Sequence, residues 1–497
     1  MELNNLKKIL TSVQIKQADV WTILNEPISS LDLMERASNA FVTKIIKYLE
    51  PNQSIAVICG TGNNGGDGLA IARMLMWKGF DVKPFLFLIS DQLSPDCESN
   101  SHKIDNILTV DRDSEMPNFD DFDVIIDGLL GSGLNKKIEG WAGKIVDLIN
   151  ESKSKVIAID IPSGMYCDSI PEGDHIVKSD LVVSFQRPKL SFFLPESAQY
   201  IREWQTVNIG LDEKYIQSLS SEIYVLDEQV SRQIKERKKY SHKGNYGHAL
   251  VIAGARGKMG AAVLCGLACL RSGVGLLTTH LPDCGLDIMQ ISIPEAMCSI
   301  DPHVYHFSTL PDLSRYSCVG IGPGIGQAKE TKEALIHLLN SASIPLVLDA
   351  DALNVLSQNQ AIQALIPPNS ILTPHPKEFE RLVGSWNNSL ERLEKQKSFS
   401  KMHQCIIVLK DADTIITDTS GNAYINTTGN PGMATGGSGD VLTGIITGLV
   451  AQGYPPLEAA LIGVYYHGLA GDSAKKEKGM NALIASDLIQ HLKIEAS

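Results

Sequence analysis

Long apolar runs, close cysteine pairs and excess positive charge are all missing from this 497-residue chain, and each absence narrows what it can be. The most hydrophobic window, residues 259–281, carries Arg271 in its middle and four glycines, so it reads as a buried core helix followed by a strand and not as a membrane span. Residues 1–13 mix Glu2, Lys7 and Lys8 among short apolar pairs and lack the apolar stretch of a secretory signal. The nine cysteines are an odd number, scattered from Cys59 to Cys405 without a CxxC pair, which argues against a disulfide framework or a zinc site and for a reducing, cytoplasmic setting. Lys plus Arg number 44 against 57 Asp plus Glu, a net charge of −13 whose averaged field repels nucleic-acid backbones and anionic membranes. An anionic ligand must therefore be held by local groups.

What is present is ordinary globular usage: 43% hydrophobic and 20% charged residues, enough for large cores. At about 150 residues per domain the length allows two to four domains, and no internal repeat of 20 to 50 residues suggests a solenoid. Short β-branched runs at residues 54–59, 123–127, 156–160 and 180–184, separated by helix-like stretches, read as buried parallel strands of a doubly wound α/β sheet. The rhythm lapses over residues 207–243, a polar stretch whose basic run 235–239 reads as a solvated linker face. It resumes at 248–253, 318–321, 344–348, 371–372 and 405–409. Two α/β domains, 1–220 and 221–497, fit this pattern.

Ligands of open α/β sheets sit beyond the carboxyl ends of the strands, and the unusual residues lie there. Directly after the first strand comes Gly60-Thr61-Gly62-Asn63-Asn64-Gly65-Gly66-Asp67-Gly68, five glycines in nine positions opening a helix. Such a loop brings backbone N–H groups and a helix N-terminus to an anion, although a tight strand-to-helix turn has the same composition. Asp127 and Asp160 end two further strands, with Ser163 following in Asp160-Ile161-Pro162-Ser163-Gly164. Oxygen donors without His or Cys suggest a hard cation, while carboxylates that merely cap a turn are the alternative. In the second half Gly436, Gly437 and Gly439 precede an apolar helix with Asp440 at its mouth, an anion cradle with a carboxylate placed to deprotonate an attacking hydroxyl.

Four N-terminal motifs, Asp32-x-Met34-Glu35-Arg36-Ala37, residues 62–68, Asp127-x3-Gly131-x-Gly133-Leu134 and Asp160-Ile161-Pro162-Ser163-Gly164, resemble the NAD(P)H-hydrate epimerases in order and spacing. The resemblance implies that Asn63, Asn64, Gly65, Gly66, Asp67, Gly131, Ser132, Gly133, Leu134, Asn135, Lys136 and Lys137 contact the hydrated dinucleotide (NADHX or NADPHX). It further implies that Asn64, Asp127 and Ser163 hold a potassium ion (K+), and that Asp160 touches the hydrated ring. Asp160 is the acid/base candidate of this half. Where that family commonly carries Arg after the Gly-Leu pair, this chain reads Asn135-Lys136-Lys137, replacing a bidentate fork by point charges.

The second half is similar to the NAD(P)H-hydrate dehydratases of the ribokinase-like superfamily, through His242-Lys243-Gly244, residues 253–262, Gly322-Pro323-Gly324-Ile325-Gly326, Leu348-Asp349-Ala350-Asp351-Ala352, Thr373-Pro374-His375-Pro376-Lys377-Glu378-Phe379 and the 430–444 loop. This implies a Rossmann-like doubly wound N-terminal domain and a ribokinase-like α/β sandwich. Ala262, Gly324, His375 and Asp440 would contact the S hydrate, and Lys410, Asp411, Ala412, Asp413, Thr414 and Gly439 the adenine nucleotide, with Asp440 as base and Mg2+ accompanying ADP. Where the family usually reads Lys-Gly-x-x-Thr, this chain has Lys410-Asp411-Ala412-Asp413-Thr414, so Asp411 and Asp413 place two acids beside the expected phosphates. A homo-oligomer that binds neither nucleic acid nor membrane completes the expectation. Its rival is a small-molecule (vitamin precursor) kinase fused to a nucleotide-binding module. Two further tempting residue groups are set aside: His303-x-x-His306 reads as a surface loop, and Cys265 with Cys269 as helix core.

Overall fold

In the computed structural model, which describes residues 6–495, the chain forms two compact units dividing between Ser221 and Glu222. Leu6 and Lys7 group with the second unit and residues 388–390 with the first. Residues 1–5, part of the N-terminal stretch read for a signal, lie outside the described residues. Among those described, no helix is long and apolar enough to cross a membrane.

The first unit is built on β1 (Ser54–Cys59), β2 (Asp81–Phe87), β3 (Leu108–Val110), β4 (Val124–Gly128), β5 (Lys155–Ile159), β6 (Leu181–Phe185) and β7 (Trp204–Val207). They pair in the order β3-β2-β1-β4-β5-β6-β7, every neighbour parallel. The order reverses between β1 and β4, the switch point at which doubly wound sheets bind ligands. The runs are continuously apolar because both faces are covered: Ile55, Val57 and Cys59 point into one core layer, Ala56 and Ile58 into the other.

The second unit contains β8 (Ile223–Val225), β9 (His248–Ile252), β10 (Leu276–Pro282), β11 (Met297–Asp301), β12 (Cys318–Ile321), β13 (Leu346–Leu348), β14 (Ile371–Leu372), β15 (Ile406–Leu409), β16 (Thr414–Thr417) and β17 (Ala423–Asn426). They lie in the order β8-β17-β16-β15-β14-β13-β12-β9-β10-β11, parallel from β15 to β11. The same two-sided burial recurs at β9, where Ala249 and Val251 enter one core and Leu250 and Ile252 the other. The window 259–281 resolves into the helix Met259–Arg271 followed by β10, and Cys265 and Cys269 are core residues of that helix. All nine cysteines are free thiols.

The basic run is exposed but is more than a solvated face. Lys235 Nζ donates to the Gly453 carbonyl at 2.8 Å and lies over the Tyr454 ring, and Arg237 bonds the Gly273 carbonyl while stacking on Tyr246. Two cation–π contacts thus dock the linker on the second unit. His303 and His306 sit in the loop after β11, where the ring Nδ1 of His303 accepts from the amides of Tyr305 and His306.

Candidate active sites at the strand ends

In the first unit the glycine segment is less of a loop than its composition suggests, because the helix Asn63–Trp77 begins within it. Helix entry there depends on Gly65, whose Cβ would collide with the Gly60 carbonyl oxygen, whereas a Cβ on Gly62 would meet nothing within 4 Å. Gly65→Ala is therefore expected to destabilise the unit by about 1–3 kcal/mol, while Gly62→Ala melts as wild type; thermal unfolding of the two variants checks the contrast. A loss of activity confined to Gly62→Ala then reports on ligand space and not on folding.

Asn64, Asp127 and Ser163 converge on one carbonyl-rich turn. Asn64 Nδ2 donates to the Leu130 carbonyl at 2.8 Å, and the Leu130 amide donates to Ser163 Oγ at 2.8 Å. Asp127, fully buried at the end of β4, accepts from the Ser163 hydroxyl at 2.6 Å, the Ser163 amide at 2.8 Å and the Leu129 amide at 3.2 Å. Burial outweighs those donors and pushes its carboxyl up to about 6. The side-chain oxygens of Asn64, Asp127 and Ser163, with the Leu130 carbonyl, form an all-oxygen set suited to a hard cation. Leu130 was not a sequence candidate, because any residue supplies a carbonyl.

Asp160 follows β5 with a left-handed backbone, φ +62°, a strained conformation for a residue with a Cβ. Its Oδ1 is 2.7 Å from the Nζ of the fully buried Lys189. Burial, then Asp160, push the Asp19 carboxyl up to about 6, and burial with Asp160, Asp19 and Asp96 pushes Asp67 well above the carboxylate range. Asn63, Gly133, Asn135, Lys136 and Lys137 are exposed, Gly131, Ser132 and Leu134 half-buried, and Gly65 and Gly66 buried. The two lysines are thus free to swing toward a phosphate, with Lys137 only loosely paired to Glu172 at 3.7 Å. Sequence reasoning missed Lys189 and Asp19, and neither lies in a motif that could have marked it.

The second constellation gathers at the ends of β12 to β15. The helix Ser438–Ala451 starts on Gly437, left-handed at φ +89°, which sets the helix N-terminus at the strand ends with Asp440 in the first turn. Lys410, one residue past β15, reaches across to Asp349, one residue past β13, at 2.9 Å. Thr443, one turn into the glycine-loop helix, donates to the other Asp349 oxygen at 2.7 Å. Asp349 is 1% exposed, and this clamp fixes the ammonium of Lys410 over Gly439. Asp349 stood in a quoted motif with no role assigned to it, although a carboxylate at a strand end is the same signal that marked Asp127.

Burial, then repulsion from Asp349 against attraction from Lys410, raises Asp440 to about 7. His375 caps the helix Pro376–Val383 through Nδ1, its basicity lowered chiefly by burial. The Lys410 amide is tied to the Pro374 carbonyl at 2.9 Å, so His375 belongs to this site. Gly324, left-handed at φ +67°, follows β12 close to Lys258 and Ala261, and Ala262 is wholly buried in the next residue of that helix. Asp411, expected to face phosphates, is paired with Arg392 at 2.6 Å, and burial with Asp411 raises Asp413 to about 6. The charge of Asp411 in the Lys410–Thr414 turn is thereby offset by Arg392. Among the described residues no three His, Cys, Asp or Glu side chains form a metal cage. A crevice of about 500 Å3 lined by Gly244, Pro345 and Tyr454 lies at the opposite, amino ends of the strands and holds none of these residues.

The family model described as NAD(P)H-hydrate dehydratase matches residues 249–493, and that described as YjeF-related protein N-terminus matches residues 30–191. A bifunctional NAD(P)H-hydrate repair enzyme of Moorella thermoacetica is 33% identical over 97% of this chain and 96% of its own. That of Coxiella burnetii is 36% identical over 94% and 95%. Among solved structures, a ribokinase-like superfamily protein from Enterococcus faecalis is 29% identical, with a TM-score of 0.50 over 55% of this chain and 95% of its own.

Proposed function

The chain belongs to the bifunctional NAD(P)H-hydrate repair enzymes, and on that premise we propose that its first unit interconverts the R and S hydrates of NADH and NADPH while its second dehydrates the S form with ADP. The observation that carries the reading is that each unit places its own carboxylate, Asp160 or Asp440, beside a glycine-lined helix entry at the strand ends. The rival, a small-molecule kinase fused to a nucleotide-binding module, explains the second constellation but gives Asp160 of the first no chemistry to perform.

Epimerisation requires the hydroxyl-bearing ring carbon to become planar. Its C–O bond breaks as the ring nitrogen's lone pair forms C=N, and the oxygen leaves as water after taking a proton from a carboxylic acid. Water returns on the opposite face and gives a proton to a carboxylate. The first site offers two carboxyl groups for these roles: Asp160, held by Lys189, and Asp67, whose protonated form is favoured by burial and by the neighbouring acids.

In the second unit Asp440 takes the proton of the ring hydroxyl as that oxygen attacks the β-phosphoryl of ADP and AMP departs; the new phosphate ester then leaves with its C–O electrons, and the adjacent ring carbon gives up a proton to the departing phosphate or water, its C–H electrons forming the restored double bond. Lys410 and the glycine-loop amides neutralise the transferring group. The residues fit a magnesium ion that arrives on the nucleotide, since Asp349 is committed to Lys410 and Thr443 and, among the described residues, no His, Cys, Asp and Glu cage competes for it. Bound there, magnesium supplies charge neutralisation between phosphates.

Asn64, Asp127 and Ser163 would hold potassium in the first unit, which supplies positive charge beside the dinucleotide. Exchanging potassium for a bulky organic cation is expected to slow epimerisation and leave dehydration of pure S hydrate unchanged, measured on the same preparation. Nine free thiols support a cytoplasmic setting, and exposed Ile288, Ile291, Met297 and Ile300 beside the outer strand β11 support a homo-oligomer.

The test is racemic NADH hydrate with ADP, followed by the near-ultraviolet absorbance of reduced nicotinamide. Full recovery is expected; no recovery with ADP or ATP rejects the reading. Because Asp440 must be ionised to act as base and its carboxyl sits at about 7, kcat/KM for dehydration is expected to rise through neutrality and level off above it. A profile flat from pH 5 to 8 removes Asp440 from that role.

A further inference from the structure

Lys189 lies four residues beyond the end of β6 and is fully buried. Its Nζ meets Asp160 Oδ1 at 2.7 Å, with the carbonyls of Arg187 at 3.3 Å and Phe185 at 3.4 Å as its further partners. The same Oδ1 also receives the Phe185 amide at 2.8 Å and the Ser184 hydroxyl at 3.2 Å. All three donors converge on one carboxylate oxygen, and none reaches Oδ2.

The other groups that face this pair are acids. Asp19 approaches from the helix Ser12–Asn25, Asp67 from the start of the helix Asn63–Trp77, and Cys167 from the segment after Ser163. Asp168, which faces Cys167, is committed to the Ser12 amide and hydroxyl at 2.9 and 2.7 Å. Burial keeps the Cys167 thiol protonated. Against these groups the cluster sets a single ammonium.

We infer that Lys189 is the positioning residue of epimerisation: it saturates Oδ1 of Asp160, fixes that carboxylate in its left-handed turn, and reserves Oδ2 for exchanging a proton with the hydrated ring. Lys189 does not touch substrate; it acts through Asp160. With Lys189 Nζ held 2.7 Å from Oδ1, only Oδ2 of Asp160 is left to face the ring.

The inference rests on the epimerase reading, and the experiment separates the two. Full-length Lys189→Met and Lys189→Arg are compared with wild type for epimerisation of purified R hydrate across pH, with excess dehydratase as the coupling enzyme. Lys189→Met is expected to lose at least about tenfold in kcat at neutral pH with KM within about twofold, its acid limb displaced upward by more than about one pH unit. Lys189→Arg, which keeps the charge, is expected to restore the wild-type limb. A Lys189→Met profile that superimposes on wild type after scaling overturns the inference, since a purely structural residue would give that result.

Should the Met variant unfold by circular dichroism, 15N-lysine spectra of the wild type and Asp160→Asn decide. A slowly exchanging ammonium signal present in wild type and lost or shifted in Asp160→Asn supports the hold, and its absence from wild type overturns it. An inactive wild-type epimerase that still shows this signal would reject the epimerase reading while leaving the Lys189–Asp160 hold in place.

Discussion

Asp440→Asn is expected to lower dehydration of the S hydrate by about 10²–10⁴-fold while R and S hydrates continue to interconvert. The amide has nearly the shape of the carboxyl, so the glycine-loop helix that begins on Gly437 keeps its entry geometry, and Lys410 remains clamped by Asp349 and Thr443. What disappears is the only proton acceptor proposed for the ring hydroxyl. Stability should move the other way. Asp440 is raised from 3.8 to about 7 by burial and by Asp349, so ionising it in the folded chain opposes folding progressively as pH rises from about 4 to 7. Asparagine never ionises, and Asp440→Asn should melt at or above the wild-type temperature at pH 8. Dehydration with unchanged kcat in a folded variant would end the assignment; a lowered melting temperature would instead show that the burial argument is wrong.

Asp160→Asn is expected to confine fast recovery of racemic hydrate to about half of the material, the S fraction, while the rate on pure S hydrate is unaltered. The readout separates the units because dehydration passes through Asp440 alone. Asparagine tolerates the left-handed φ +62° at this position at least as well as aspartate, and its carbonyl can still accept from the Phe185 amide. Lys189, however, loses its counter-charge in a site where it is fully buried, and breaking such a pair costs about 3–5 kcal/mol. The first unit should therefore melt earlier than the second, and the assay belongs well below that transition. Complete recovery at the wild-type rate would show that Asp160 is not the acid/base.

Much of both sites could be read from the chain because the signals are local. A continuous β-branched run ending in Asp marks a strand whose terminal carboxylate reaches the ligand edge, and this picked out Asp127 and Asp160. Gly62 to Asp67 and Gly436 to Asp440 were legible because helix entries that admit an anion need glycine. The extent of the first helix was not legible: glycines that suggested loop as far as Gly68 are helical from Asn63, since Gly65 is required for close packing against Gly60. Nor could the sequence show that Asp411 would be drawn off by Arg392, nineteen positions earlier and on a different element.

The sequence by itself determined two α/β layers of parallel strands, the residues that close each strand, and the family to which they point, because all of these follow from runs and spacings within a few residues. Only the tertiary structure decided which strand ends lie side by side. Lys189 meets Asp160 because β5 and β6 pair in register at Ile159 and Val183, and Lys410 meets Asp349 because β13, β14 and β15 are parallel neighbours. Each of these ion pairs joins residues far apart in the chain. Their partnership depends on strand order, which is set by how the helices cover the two faces of each sheet and not by any pattern within the segments themselves.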